Sequence, residues 1–178
     1  PRHRRCFGRQ WLPATEAVRG LPAHLDPGRG PFHTRAMTAP ILYIGNKNYS
    51  SWSLRPWLAL RWAGIAFDEQ VLPLGGDGYG QGRAAHVLAV SPSGRVPALH
   101  LGGSVIHDSL AISEWAAEQP GAHLFPADPL QRALVRAAVA EMHAGFGALR
   151  RDLSMNIRRR LDQAPPWPAD TAADLDRL

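Results

Sequence analysis

An α/β fold with a mixed four-stranded sheet, followed by the start of an all-α part, is what this sequence predicts. Three observations carry that reading. Residues 41–118 alternate short β-rich runs with helical periodicity, in the order strand, helix, strand, helix, hairpin, helix. Residues 119–129 (QPGAHLFPADP) are Pro-rich and read as a linker. From Leu130 the pattern turns helical and rich in Ala, Leu and Arg. The expected division is a basic extension at 1–39, an α/β domain at 40–119 and a partial all-helical domain at 128–178.

The first strand is Ile41-Leu42-Tyr43-Ile44, closed by the turn signal Gly45-Asn46. Leu54, Trp57, Leu58, Ala59 and Trp62 then fall at helical spacing, which predicts a helix over 53–63. Ser53 is its expected N-cap and Pro56 its third residue, where a missing N–H costs nothing. Gly64 closes it as a C′ residue, and Trp57 and Trp62 are expected in the core. Phe67–Leu74 reads as the second strand, 75–82 with its five Gly as a loop, and Arg83–Val90 as a short helix. Val96–Leu101 and Ser104–His107, joined by Gly102-Gly103, read as a hairpin. Asp108-Ser109 opens a third helix, with Leu110, Ile112, Trp115 and Ala116 apolar, running to Glu118. Beyond the linker one long helix is expected over 130–153, then a basic turn at Arg158-Arg159-Arg160, and a helix start near Asp170. One long helix plus a stub cannot close a core, so the helical domain is expected to be incomplete.

The charge of +5 and pI near 10.3 raise nucleic acid as a partner. Residues 1–36, however, hold seven Arg against Glu16 and Asp26, so the excess lies in that segment and residues 37–178 are neutral. With five Pro and no periodicity, 1–36 reads as a disordered extension, and it lacks the apolar stretch of a secretory signal. No apolar run reaches the ~18 residues that span a bilayer. The one cysteine, Cys6, is also in the extension. The remainder therefore has no disulfide, no Cys-x-x-Cys pair and no Cys-ligated zinc, and thiol chemistry would need a thiol carried by a ligand. His100 and His107 lack metal-ligand spacing.

Three local features bear on chemistry. In Asn48-Tyr49-Ser50-Ser51-Trp52-Ser53-Leu54-Arg55 the hydroxyls sit at a helix N-terminus, where anions are stabilised; alone, this is also ordinary capping by Ser51 or Ser53. In Ser91-Pro92-Ser93-Gly94-Arg95-Val96-Pro97-Ala98-Leu99 the proline at the strand head is either an edge residue or a cis-proline. A cis bond would turn the Val96 N–H and C=O outward to pair with a peptide ligand. Asp108-Ser109 is either a plain N-cap or the receptor of an α-amino-carboxylate, Ser109 and its N–H holding the carboxylate and Asp108 the amino group.

As a set and in this order, these motifs resemble the N-terminal domain of glutathione transferases. The spacing of Ser50, Arg55 and Gly64 is similar to the tau and zeta classes, and Glu141-Met142-His143-Ala144-Gly145-Phe146 is similar to the first C-terminal-domain helix of a proteobacterial subgroup. The resemblance covers residues 40–160 and implies a thioredoxin-like domain. It implies Ser50 as the catalytic residue that activates the glutathione thiol. It also implies Val96, Pro97, Asp108 and Ser109 as glutathione ligands, and Trp52, Met142 and Phe146 as a second-substrate pocket. For the glycine carboxylate of glutathione, Arg83, His86 and Arg95 are all eligible. The implied activity is a cytoplasmic, homodimeric glutathione transferase of detoxification, acting on a hydrophobic electrophile with glutathione as co-substrate and no metal, nucleic acid or membrane. Two alternatives are an isomerase of the maleylacetoacetate isomerase type and a non-catalytic glutathione-binding module. Trp52 stands where the zeta class usually has cysteine, which counts against the isomerase.

Overall fold

The computed structural model describes residues 39–178 apart from 76, 79, 164 and 165; the expectations for the basic extension and Cys6 lie outside the described residues. Strand β1 (Ile41–Ile44) alternates half-buried and buried side chains, so Leu42 and Ile44 point into the core. It pairs in parallel with β2 (Asp68–Val71), Ile41 opposite Asp68, and antiparallel with β3 (Ala98–Leu101), Leu42 opposite Leu99. β3 continues antiparallel to β4 (Ser104–His107), giving the mixed order β2-β1-β3-β4. β2 is shorter than the expected 67–74. The Leu72 N–H still reaches the Ile44 carbonyl at 2.8 Å, but Pro73 has no N–H with which to continue the ladder.

Helix α1 (Ser51–Trp62) and helix α3 (Ser109–Ala117) pack against each other. Ala59, Leu60, Ile112 and Ala116 join Leu42, Ile44, Phe67 and Leu99 in one core. The N-cap of α1 falls three residues earlier than expected, at Ser50, which makes Pro56 its sixth residue. Pro56 therefore removes one intrahelical bond, to the Trp52 carbonyl. The buried stripe is Ser53, Pro56, Ala59 and Leu60. Trp62 is 73% exposed and Leu54 is also exposed, which corrects the expected core face. Trp57 is partly buried and donates Nε1–H to Glu69 Oε2 at 2.7 Å; a bond from Lys47, seconded by this one, holds the Glu69 carboxyl below its usual range. The helix ends at Gly64 (φ 70°), whose N–H bonds Arg61 C=O while the Ile65 N–H bonds Leu60 C=O, a Schellman pair.

Between β2 and β3 the chain makes a loop and the single-turn helix α2 (Ala85–Leu88), pinned by buried Val87. Gly94 (φ 64°) lies directly against this loop. A Cβ there would sit 2.1 Å from the Gly82 carbonyl oxygen, a backbone atom with little room to yield. Gly94→Ala is therefore expected to lower stability by at least about 1 kcal/mol, through a strained φ and a backbone clash together. A denaturant midpoint equal to the parent's would contradict this.

The single long helix expected over 130–153 is two. α4 (Pro129–Ala144), capped by Asp128, stops at Gly145, and α5 (Gly147–Asp152) starts after Phe146 in the left-handed region at φ 59°. The cause is Arg150. Its guanidinium bonds the Met142, His143 and Gly145 carbonyls, which are the groups a helix end leaves without partners. α6 (Ala169–Arg177) returns against α5: the Thr171 hydroxyl, fully buried, bonds Asp152, and Asp174 accepts from the Leu149 N–H at 2.9 Å. α4 buries none of its residues, leaving Leu130 and Leu134 exposed. No helix among the described residues is long and apolar enough to cross a membrane.

Candidate functional site

Ser50 stands where β1 hands over to α1. Its N–H bonds the Asn46 carbonyl at 2.9 Å, and its side chain makes no capping bond to the helix. The buried hydroxyl instead donates to Ser53 Oγ at 2.9 Å, which also accepts from the Gly45 N–H at 3.0 Å. Ser53 thus braces the turn rather than capping the helix. The first turn of α1 has no acidic residue, so the positive end of its dipole remains uncompensated beside Ser50. Trp52, one residue into the helix, has two guanidiniums against its ring, Arg55 at 4.4 Å and Arg150 at 4.8 Å. Burial and the neighbouring Arg150 lower the Arg55 pKa from its ordinary value, against an opposing pull from Asp108.

The second segment approaches from the head of β3. The Val96–Pro97 peptide is cis. The turn before it is fixed by Ser91, whose N–H bonds Val87 C=O at 2.8 Å and whose C=O accepts from the Gly94 N–H at 2.9 Å. Among the described residues no hydrogen bond uses the Val96 N–H or C=O.

The third segment is the start of α3. Asp108 is its N-cap, with Oδ1 accepting from the Leu110 N–H at 2.8 Å, and it holds φ 85°, a conformation costly for a residue with a side chain. Its other oxygen lies 3.3 Å from His143 Nε2 on α4. Ser109 is 3% exposed, and its hydroxyl has no hydrogen-bond partner among the described residues. A buried hydroxyl without a partner is expensive, and this one borders a cavity.

The segments meet in two cavities. One, of about 280 Å³, is lined by Val96, Pro97, Asp108 and Ser109, with His107 and His143 at its wall. The other, of about 260 Å³, is lined by Ser50 and the glycine loop at 80–82. Trp52, Arg95 and Val96 line both, so the two read as one groove running from the α1 N-terminus to the α3 N-terminus. Of the three residues eligible for a glycine carboxylate, Arg95 lines the groove, whereas His86 bonds the Pro73 carbonyl at 2.9 Å. The Trp52, Met142 and Phe146 trio does not line a single cavity: Trp52 lines the groove, Met142 lines an apolar cavity between α3 and α4 that shares Ser109 and His143 with it, and Phe146 lines none of these. Sequence reasoning missed His143 and Arg150 beside Trp52, because their nearness depends on how α4 and α5 fold back; Arg55 reaches the same ring by the i,i+3 spacing of α1. No cluster of three metal-ligating side chains occurs among the described residues.

Residues 49–119, which contain all three segments, match the family described as glutathione S-transferase, N-terminal domain. These residues belong to the glutathione transferase family as its N-terminal domain. Rat maleylacetoacetate isomerase is 34% identical over 129 residues, 72% of this chain and 58% of that one. A glutathione transferase homolog from Burkholderia, solved with bound glutathione, is 27% identical at a TM-score of 0.52, covering 64% of this chain and 61% of that one. A diazinon-metabolizing glutathione S-transferase of the silkworm Bombyx mori superposes at 0.59 over 79% of this chain and 65% of that one; at 20% identity it speaks for the fold alone. The sheet order and flanking helices are accordingly the thioredoxin-like arrangement of glutathione transferases. The chain spans 44–58% of the length of the curated relatives it matches.

Proposed function

We propose that the groove binds glutathione and that Ser50 activates its thiol for attack on a hydrophobic electrophile. One observation carries this reading. Three segments far apart in sequence, at 50, 96–97 and 108–109, border one continuous groove that also holds an unpartnered buried hydroxyl, Ser109. In this reading the γ-glutamyl carboxylate takes the Ser109 hydroxyl and the α3 N-terminus, Asp108 takes the amino group, and Val96 pairs with the peptide backbone. Arg95 is the side chain placed for the glycine carboxylate. The division into a glutathione-binding half at 40–119 and a helical part at 128–178 belongs to this proposal, as do a cytoplasmic setting and homodimeric assembly.

The proposed chemistry places the sulfur beside Ser50. A free thiol has a pKa of about 8.5, so little is ionised at neutral pH. The thiol proton leaves to solvent, the Ser50 O–H turns from Ser53 to donate to the sulfur anion, and the open end of the α1 dipole adds to the stabilisation. Lowering the pKa by roughly two units corresponds to about 2.7 kcal/mol. The thiolate's electron pair then forms the carbon–sulfur bond, and the leaving group departs with its own pair.

A second reading, glutathione-dependent isomerisation, is favoured by the rat relative, with Trp52 weighing against it. Immobilised glutathione and a panel of electrophiles, assayed beside maleylacetoacetate, separate the possibilities. Retention with conjugation is expected. Retention with isomerisation alone supports the second reading, retention without any turnover leaves a binding module, and no retention overturns the proposal.

A further inference from the structure

The turn that delivers Ser50 is tied to the helical half of the chain through one residue, by its side chain and its carbonyl. Asn48, two residues before Ser50, has all four of its polar groups engaged. Its N–H donates to Asn46 Oδ1 at 2.8 Å, and its C=O accepts from the Ile157 N–H at 3.1 Å. Its Oδ1 accepts from the Arg158 N–H at 3.0 Å, and its Nδ2 donates to Asn156 Oδ1 at 2.9 Å. Asn156 Oδ1 also accepts from the Arg159 N–H at 3.2 Å. Backbone donors thus fix which end of each amide carries the oxygen.

The residues on either side of Asn48 make the same point. The Asn46 carbonyl accepts from both the Tyr49 and Ser50 N–H groups, so the 46–50 turn is one rigid piece with Asn48 at its centre. Ser50 has no capping bond of its own, and its place is therefore set by that turn. Ile157, beside Asn156, shares an apolar cavity with Ser50, Ser53 and Trp57. The hydroxyl of Ser50 rests on Ser53 at 2.9 Å; whether it stays there or turns to a sulfur depends on displacements well below 1 Å.

We propose that Asn48 and Asn156 form a latch by which residues 156–159 of the helical half position Ser50 toward the bound thiol. Both are positioning residues, and the inference rests on reading Ser50 as the thiol-activating group. The chemistry of the latch is asymmetric. Asn48 uses its amide as donor and acceptor, whereas Asn156 is used through its oxygen alone. Aspartate can replace Asn156, but at Asn48 it would set a carboxylate oxygen against Asn156 Oδ1.

The test compares Asn48→Asp, Asn156→Asp, Asn156→Leu and Ser50→Ala in the full 178-residue chain. Each is read by the pH titration of thiolate absorbance in bound glutathione, by kcat and KM, and by thermal unfolding. Asn48→Asp and Asn156→Leu are expected to raise the bound-thiol pKa and lower kcat about tenfold, with glutathione affinity within about twofold of the parent. Asn156→Asp should match the parent in all three. If Asn48→Asp fails to fold, the two Asn156 variants decide alone. If the latch variants keep the parent pKa while Ser50→Ala raises it, the latch is wrong and the Ser50 reading stands. If Ser50→Ala leaves the pKa unchanged, the Ser50 reading itself fails and takes the latch with it.

Discussion

Ser50→Ala is expected to slow glutathione conjugation by about one to three orders of magnitude while leaving glutathione affinity within about twofold. The rate falls because a hydrogen bond to a charged sulfur is worth about 1.5–3 kcal/mol, and each 1.4 kcal/mol is tenfold; loss of thiolate population and slower positioning extend the upper end. Affinity survives because the other proposed contacts come from Val96, Asp108 and Ser109, on different elements. The fold survives for a reason that differs from the sequence expectation. Ser50, not Ser53, is the N-cap of α1, but its side chain makes no capping bond, and Ser53 Oγ keeps the Gly45 N–H when the Ser50 hydroxyl is removed. The pH profile carries the sign. A thiol held below its free pKa gives a rate that rises as pH passes the lowered value, and the variant's profile should move to higher pH. Ser51 is the internal control, half-buried at the first helical position. If Ser51→Ala moves the profile and Ser50→Ala does not, the assignment shifts by one residue.

Ser109→Ala should separate binding from stability. The Ser109 hydroxyl is buried and, among the described residues, has no hydrogen-bond partner. Removing such a group relieves an unmet desolvation cost, so thermal stability should hold or rise slightly. In the proposed binding mode the same change removes a donor to the γ-glutamyl carboxylate, and glutathione affinity should fall by about tenfold or more, as for a hydrogen bond to a charged group. A structural hydroxyl would behave in the opposite way, losing stability and leaving binding alone. Calorimetric titration with glutathione, beside thermal unfolding of the unliganded chain, reads both quantities.

What the sequence made legible was local. The strand at Ile41–Ile44, the hairpin around Gly102-Gly103, the Gly64 stop and the Asp108 start each rest on neighbouring residues, and each stands in the structure where its signals fall. The misplaced features depend on partners distant in sequence or space. Trp62 fits a helical apolar pattern yet faces solvent, because burial on α1 follows the stripe of Ser53, Pro56 and Leu60 against α3 and the sheet. Arg150 ends α4 by reaching back to three carbonyls, an act no composition window registers. Ser50, Val96 and Ser109 were legible as three separate motifs; that they border one groove is a property of the fold. The Asn48–Asn156 contact left no trace at all, since its bonds join residues 108–110 positions apart and two of them end on backbone N–H or C=O groups.

The central claim is that this chain holds the sulfur of glutathione as an anion near neutral pH by means of Ser50. Ultraviolet thiolate absorbance of glutathione bound to the chain, followed against pH, tests it most directly. The account predicts a midpoint roughly two units below the free thiol's value of about 8.5, moving back toward it in Ser50→Ala. A midpoint for the bound thiol equal to that of free glutathione would contradict it.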